Sequence, residues 1–230
     1  MVQLSIDPAI FASIPDFKIG MITYHDITVR ETPQMLKGRI QLFYEERKLA
    51  FADKTVTDIE GIKEWRSIFK KIGTDPSRYR PSHEALIRRL IKDQPMPEVQ
   101  SAVDLMNFFS IRHEIPMGLY DLGAIVGEQL EIRKGRLNDH YEGINGRDMG
   151  MEGKLLSADA AGAFGSPIVD SKRTMVTKKT TDALHLVYIR PSMDRQSARD
   201  LMAQLQTQFI QIHGGKSSAR LITGTEEEII

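Results

Sequence analysis

The sequence predicts an α+β fold, a layered sandwich in which mixed β-sheet packs against helices. Three observations predict it. Apolar residues recur at helical spacing through most of 34–113; short strand-like pieces broken by glycines and polar residues fill 122–190; one long amphipathic helix follows at 194–213. Helices, then strands, then a helix is an α+β order, since an α/β chain alternates the two. No internal repeat and no low-complexity linker interrupts the chain, so residues 1–230 read as a single domain.

Residues 1–16 read as a short helical start around 8–14, ending at Pro15. FKIGMITYHDITV, 17–29, is rich in β-branched and aromatic residues and predicts a strand. Thr32-Pro33 opens a helix over 34–54, with Met35, Ile40, Leu42, Phe43, Leu49 and Phe51 supplying its apolar faces. A second fits 58–72, where Ile59, Ile62, Trp65, Ile68, Phe69 and Ile72 lie three and four apart and Gly73 supplies the C-terminal stop. Pro81-Ser82 starts a third at 83–92, QPMP at 94–97 breaks it, and a fourth covers 100–113. Pro116 to Asp121 reads as a compact turn closed by the aspartate. Beyond it, strand-like pieces fall at 129–133, 154–157, 168–169, 174–177 and 184–189, with a glycine-dense mobile loop at 143–154. The tail carries a short apolar RLIT and an acidic GTEEEII that reads as loosely held.

Composition excludes several function classes. Hydrophobic residues are 41% and charged residues 27% of the chain, an ordinary globular balance. No apolar run approaches the roughly 18–20 residues that cross a bilayer, and MVQLSIDPAIF lacks the basic start and apolar core of a signal peptide, so a cytoplasmic protein without a membrane partner is expected. Zero cysteines remove disulfides, thiolate metal sites and cysteine nucleophiles. The net charge is zero, yet its distribution is uneven: nine Lys/Arg against four acids between Glu60 and Lys92, a balance of +5, then six acids against Arg112 alone from Glu98 to Glu131, a balance of −5. Such a basic strip either solvates helix faces or positions a polyanion.

The usual catalytic constellations fail. In GINGRDMGMEGK a phosphate loop would need a glycine where Asp148 stands and Ser/Thr where Leu155 stands. His83-Glu84 begins like a zinc-protease motif, but the second histidine is replaced by Ile87, and the six histidines show no metal-ligand spacing. No GxSxG elbow is present. Neither a metal nor a cofactor is expected.

The most informative stretch is 78–121, RYRPSHEALIRRL through NFFSIRHEIPMGLYD. Within it Asn107, Pro116, Met117, Tyr120 and Asp121 fall in register with a motif, an asparagine helix followed by Pro-hydrophobic-His-x-aromatic-Asp. Further on, Val176, Thr177, Thr180, Thr181, Asp182 and Leu184 match a Val-Thr-x-x-Thr-Thr-Asp-x-Leu segment. Both resemble the B3/B4 editing domain of the bacterial phenylalanyl-tRNA synthetase β subunit. RYRPSHEAL and IPDFKIGMIT are more similar still to free-standing members of that group. The chain departs from the motif at two places: its histidine is Gly118 here, and its Gly-Gly turn is Asp170-Ser171.

The resemblance implies an α+β sandwich with a pocket for the aminoacyl end of tRNA, and hydrolysis of a wrongly attached amino acid. An activated ester needs chiefly an oriented water and a polarised carbonyl, which calls for no nucleophile or metal. On that reading the candidate catalytic residues are Asn107, Asp170 and His83; Glu84, Gly118, Tyr120, Ser171 and Thr174 would line the substrate; Arg78, Arg80, Arg88 and Arg89 would meet RNA phosphates. The partner would be tRNA or aminoacyl-tRNA, not DNA. Nothing resembles an ATP-binding catalytic core, so the chain alone should not charge tRNA. The alternative is a module of the same fold that holds a free amino acid or similar small ligand without chemistry.

Overall fold

The computed structural model describes residues 2–224 and 226–230. The chain runs β1 (Gln3–Ile6), α1 (Pro8–Ser13), β2 (Lys18–His25), α2 (Gln34–Phe51), α3 (Glu60–Ile72), α4 (Ser82–Ile91) and α5 (Ser101–His113). It continues through β3 (Met117–Asp121), β4 (Gln129–Lys134), β5 (His140–Glu142), β6 (Asp148–Gly150), β7 (Leu155–Asp159), β8 (Gly162–Gly165) and β9 (Ala183–Ile189), then α6 (Arg195–His213), β10 (Lys216–Thr223) and β11 (Glu226–Ile229). The fold is α+β, as the sequence predicts. Among the described residues no helix is long and apolar enough to cross a membrane, and no cluster of three or more His, Asp or Glu is arranged to hold a metal.

The central layer is a five-stranded antiparallel sheet, β11-β10-β2-β9-β3. Alternation along β9 explains its continuous apolar sequence. Leu184, Leu186 and Tyr188 face one core, shared with β4, β7, α1 and α3, while Ala183, Val187 and Ile189 face another, shared with α5 and α6. The opposing sheet is β1-β4-β7-β8, in which β1 runs parallel to β4 and the other pairs are antiparallel. A third core joins Ile40 and Tyr44 of α2, Ile62 of α3, Ile87 and Leu90 of α4 and Ile111 of α5.

The amphipathic helices follow their sequence patterns. In α3, Ile62, Trp65, Ile68, Phe69 and Ile72 are buried, and Gly73 closes the helix with φ 90°, a conformation that favours glycine. Each such side chain contributes roughly 1.5–3 kcal/mol through burial, so Trp65→Ala alone would remove about 3–5 kcal/mol. The start of α5 is capped by Gln100, whose side chain accepts from Ala102 N and Val103 N. Asp194 caps α6 by accepting from Ser197 N at 2.8 Å.

Six local expectations are corrected. Residues 117–121 form strand β3 and not a turn: Gly118 and Tyr120 are fixed by pairing with Leu186 and Leu184 of β9. The 143–154 segment contains β6, whose pairing with β5 buries Tyr141 and Met149. Residues 168–169 are not a strand, and 174–177 are reduced to a single bridge, Tyr120 to Met175, because Lys172–Thr174 is wound into a 3-10 turn. The N-terminal piece holds a strand, β1, before its helix. The acidic tail, apart from Thr225, which lies outside the described residues, forms β11. There Glu226 pairs with Arg195 at 2.5 Å, Glu227 with Arg220 at 2.8 Å, and Glu228 with Arg199.

Candidate functional site

The sequence candidates divide into three groups. Gly118, Tyr120, Asp170, Ser171 and Thr174 come together between the two sheets. Asp170 is buried, and its Oδ1 accepts a 2.6 Å hydrogen bond from the Tyr120 hydroxyl while Leu119 N lies 3.4 Å from Oδ2. Burial in this apolar setting disfavours the carboxylate and pushes its pKa up to about 7; the bonds from Tyr120 and Leu119 oppose that shift only in part. Burial raises the Tyr120 phenol as well, and the adjacent carboxylate adds to it.

Glycine is required twice around this pair. A Cβ at Gly118 would lie 2.0 Å from the Tyr120 hydroxyl and 2.9 Å from Asp170 Oδ1; one at Gly165 would lie 2.2 Å from the same hydroxyl. The phenol therefore sits in a slot walled by two glycines, with Phe164 edge-on at 4.8 Å. Gly118 does not widen a pocket, because the space it vacates is filled by Tyr120.

The turn that presents Asp170 is tightly held. Arg173 grips the buried Asp159 carboxylate through Nη1 at 3.0 Å and Nη2 at 2.9 Å, and its Nη1 also donates to Ala124 O at 3.0 Å. Ser171 accepts from Arg173 N at 3.1 Å, its own amide donates to Phe164 O at 3.0 Å, and Thr174 Oγ1 donates to the same carbonyl at 3.3 Å. Sequence reasoning missed the polar neighbours. Tyr141 donates to Val169 O at 2.7 Å, its hydroxyl lies 2.8 Å from Ser166 Oγ, and the Tyr188 hydroxyl lies 2.7 Å from Ser157 Oγ. Asp121, by contrast, accepts from Gly123 N at 2.8 Å and from Thr180 Oγ1 at 2.5 Å, a structural role.

The second group lies in the helical layer. His83 shares the Ile87–Leu90 face of α4 and is fully buried; desolvation drives its imidazole down to about 3, with the Arg190 charge adding and the Gly61 carbonyl opposing. Asn107 shares a face of α5 with Asp104 and Ile111, whereas Leu105 and Phe109 carry the face against the sheet. Asp170 belongs to the other side of that sheet, where Tyr120 packs. The structure therefore does not bring Asn107 to the Asp170 cluster, and His83 makes no hydrogen bond to it among the described residues, although Ser82 N beside it donates to Pro167 O at 2.8 Å. Glu84 is wholly enclosed and bound by Arg66 Nη1 at 2.9 Å and Arg88 Nε at 2.8 Å, which occupies both it and Arg88.

The third group is at the surface. Arg78 and Arg80 are exposed on the segment before α4, and Arg89 donates to Pro95 O at 2.7 Å. Tyr79 takes Arg78 over its ring at 5.2 Å and Lys154 at 4.4 Å, so two cations gather on one aromatic residue.

A family model described as the B3/4 domain matches residues 64–209, which enclose the Asp170 cluster and most of the basic strip. The chain belongs to the B3/4 domain family. It is 28% identical over 221 residues to an uncharacterized protein, YhzB, of Bacillus subtilis strain 168, covering 96% of this chain and 100% of that one. Among solved structures it is similar to an N-terminal fragment of the phenylalanyl-tRNA synthetase β-subunit from Pyrococcus horikoshii, with a TM-score of 0.48 and 13% identity, over 99% of this chain and 54% of the fragment. This B3/4 chain thus spans about half the length of that fragment.

Proposed function

We propose that this B3/4 protein binds the aminoacyl end of tRNA in trans and hydrolyses a wrongly attached amino acid, with the Tyr120–Asp170 pair in place of the motif's imidazole. The observation that carries the reading is that pair: a carboxyl group titrating near neutrality, directly beneath Gly118, where the resembling motif has histidine. In the hydrolytic step Asp170 takes a proton from water as the water oxygen bonds to the ester carbonyl carbon. The carbon–oxygen bond to the ribose then breaks, and the proton passes to the departing ribose oxygen. Tyr120 must first swing from its slot to admit the ester. Arg78 and Lys154 over the Tyr79 ring, with the exposed Arg80 next in the chain, support phosphate contact at the rim.

One observation favours a second reading, binding without chemistry: Tyr120 is fully buried and Asn107 lies on the far side of the sheet from it. Deacylation of a panel of correctly and wrongly charged tRNAs at low salt separates the two. Protein-dependent release from a mischarged species, lost in Asp170→Asn, is expected. Salt-sensitive tRNA binding without release would favour binding without chemistry, and neither binding nor release would end the tRNA reading and leave a free amino acid or similar small ligand as the occupant.

A further inference from the structure

A cavity of about 350 Å³ lies between α2, the end of α4, the start of α5 and the connection 93–98. It contains none of the residues assigned to the site above and is independent of that reading. Its volume falls at the lower end of small-molecule sites, roughly 300–1,000 Å³. Helix α2 contributes Lys37, Ile40, Gln41, Tyr44 and Lys48, spaced so that one helix face lines the space. The connection is a strap stiffened by Pro95 and Pro97 and fastened at both ends: Lys48 Nζ meets Asp93 at 2.6 Å, and Lys37 Nζ meets Glu98 at 2.8 Å. Arg89 holds it again through Pro95 O. The chamber is therefore preorganised.

Its charge balance is incomplete. The two lysines pair with Glu98 and Asp93; Asp104 makes an ion pair with neither and feels only the longer-range field of Lys37. That carboxylate is 7% exposed and accepts from Thr32 Oγ1 at 2.5 Å and from Val99 N at 2.9 Å, both neutral donors. Among the described residues no cation forms an ion pair with it. Two carboxylate oxygens offer about four acceptor positions, and a buried carboxylate with no cation in contact is costly. Burial raises the Tyr44 phenol and the nearby Asp104 adds to the shift; Tyr44 lines the same chamber. Ile40, Leu90 and Met96 make the rest of the wall apolar.

We infer that this cavity binds a small organic monocation, a protonated amine on an apolar body. Its ammonium donates to Asp104 and to the Tyr44 hydroxyl oxygen, and its hydrocarbon packs on Ile40, Leu90 and Met96. Titration calorimetry of the full chain at pH 7 with phenethylamine, 2-phenylethanol and 3-phenylpropionate tests it. The amine should bind, the alcohol and the acid at least ten-fold more weakly. Asp104→Asn should weaken the amine at least ten-fold. Met96→Trp, which fills the chamber from the strap without touching Asp104, should abolish binding with its melting temperature retained, and decides the matter if the Asp104 variant does not fold. No heat with the amine, equal binding of the alcohol, or an unaffected Met96→Trp protein would overturn the proposal.

Discussion

The Tyr120 hydroxyl lies 2.6 Å from Asp170 Oδ1 and fills the space that any side chain at position 118 would need. Gly118→Ala should therefore destabilise the fold by about 1–3 kcal/mol, as overpacking of a close-packed interior does. In a Tyr120→Ala background the same change should cost far less. Urea unfolding of the four-protein cycle measures the coupling; simple additivity would mean that the ring yields without strain.

Asp170 also sets a pH dependence. Its pKa is raised on folding from 3.8 to about 7, so the stability it permits is complete below pH 4 and is lost as pH rises towards 7. Three units correspond to no more than about 4 kcal/mol. Asp170→Asn removes this loss, so the difference in melting temperature between variant and wild type should grow in the variant's favour from pH 4 to pH 7. A flat difference would show that the carboxyl titrates normally.

His185 carries the opposite sign. It is fully buried between Tyr24 and Phe209, neither ring nitrogen has a hydrogen-bond partner among the described residues, and burial drives its pKa down to about 3. The unfolded chain takes up that proton below about pH 6.5, so the contribution is lost as pH falls from there towards 3. His185→Leu should gain about 1–2 kcal/mol at pH 5, since it removes an unsatisfied buried polar group. Chemical denaturation at pH 5 and pH 8 checks both the gain and its decline at the higher pH.

Glu84 is held by two arginines and is itself wholly enclosed. Glu84→Gln keeps the shape but leaves Arg66 and Arg88 without their counter-charge, at an expected cost of about 3–5 kcal/mol in urea unfolding. A loss below 1 kcal/mol would place the pair in effectively aqueous surroundings.

Replacing both Arg78 and Arg80 by alanine should weaken tRNA binding without changing the melting temperature. If each meets one phosphate, the slope of log K against log salt should fall by roughly 2. An unchanged slope in filter binding would remove this edge from the RNA interface.

Helix α3 and helix α6 were legible because five or more apolar residues at spacings of three and four leave no other periodicity, and Gly73 and Asp194 mark an end and a start. Strand β3 was not: Pro116 and Gly118 are local turn signals, overridden by tertiary pairing with β9. The resemblance selected Gly118, Tyr120 and Asp170 individually, but their union depends on a bond across fifty residues that no local pattern encodes. Asn107 stands apart from that cluster for a related reason. Its place in a motif says nothing about which side of α5 faces the sheet, and Leu105 and Phe109 decide that. The 93–98 strap looked like a mere helix break, because its meaning lies in partners on α2.

Strand β11 places three consecutive glutamates along an outer margin of the central sheet. An unpaired strand margin is a template on which another chain can continue the sheet, and carboxylates there act as a fence. A second molecule arriving edge to edge would bring its own three, and like charges would meet at strand spacing. The arginines from α6 and β10 that hold this strand in place stand behind the fence, on the molecule's own side. Added salt, which screens exposed charges, lowers the fence and loosens its posts together.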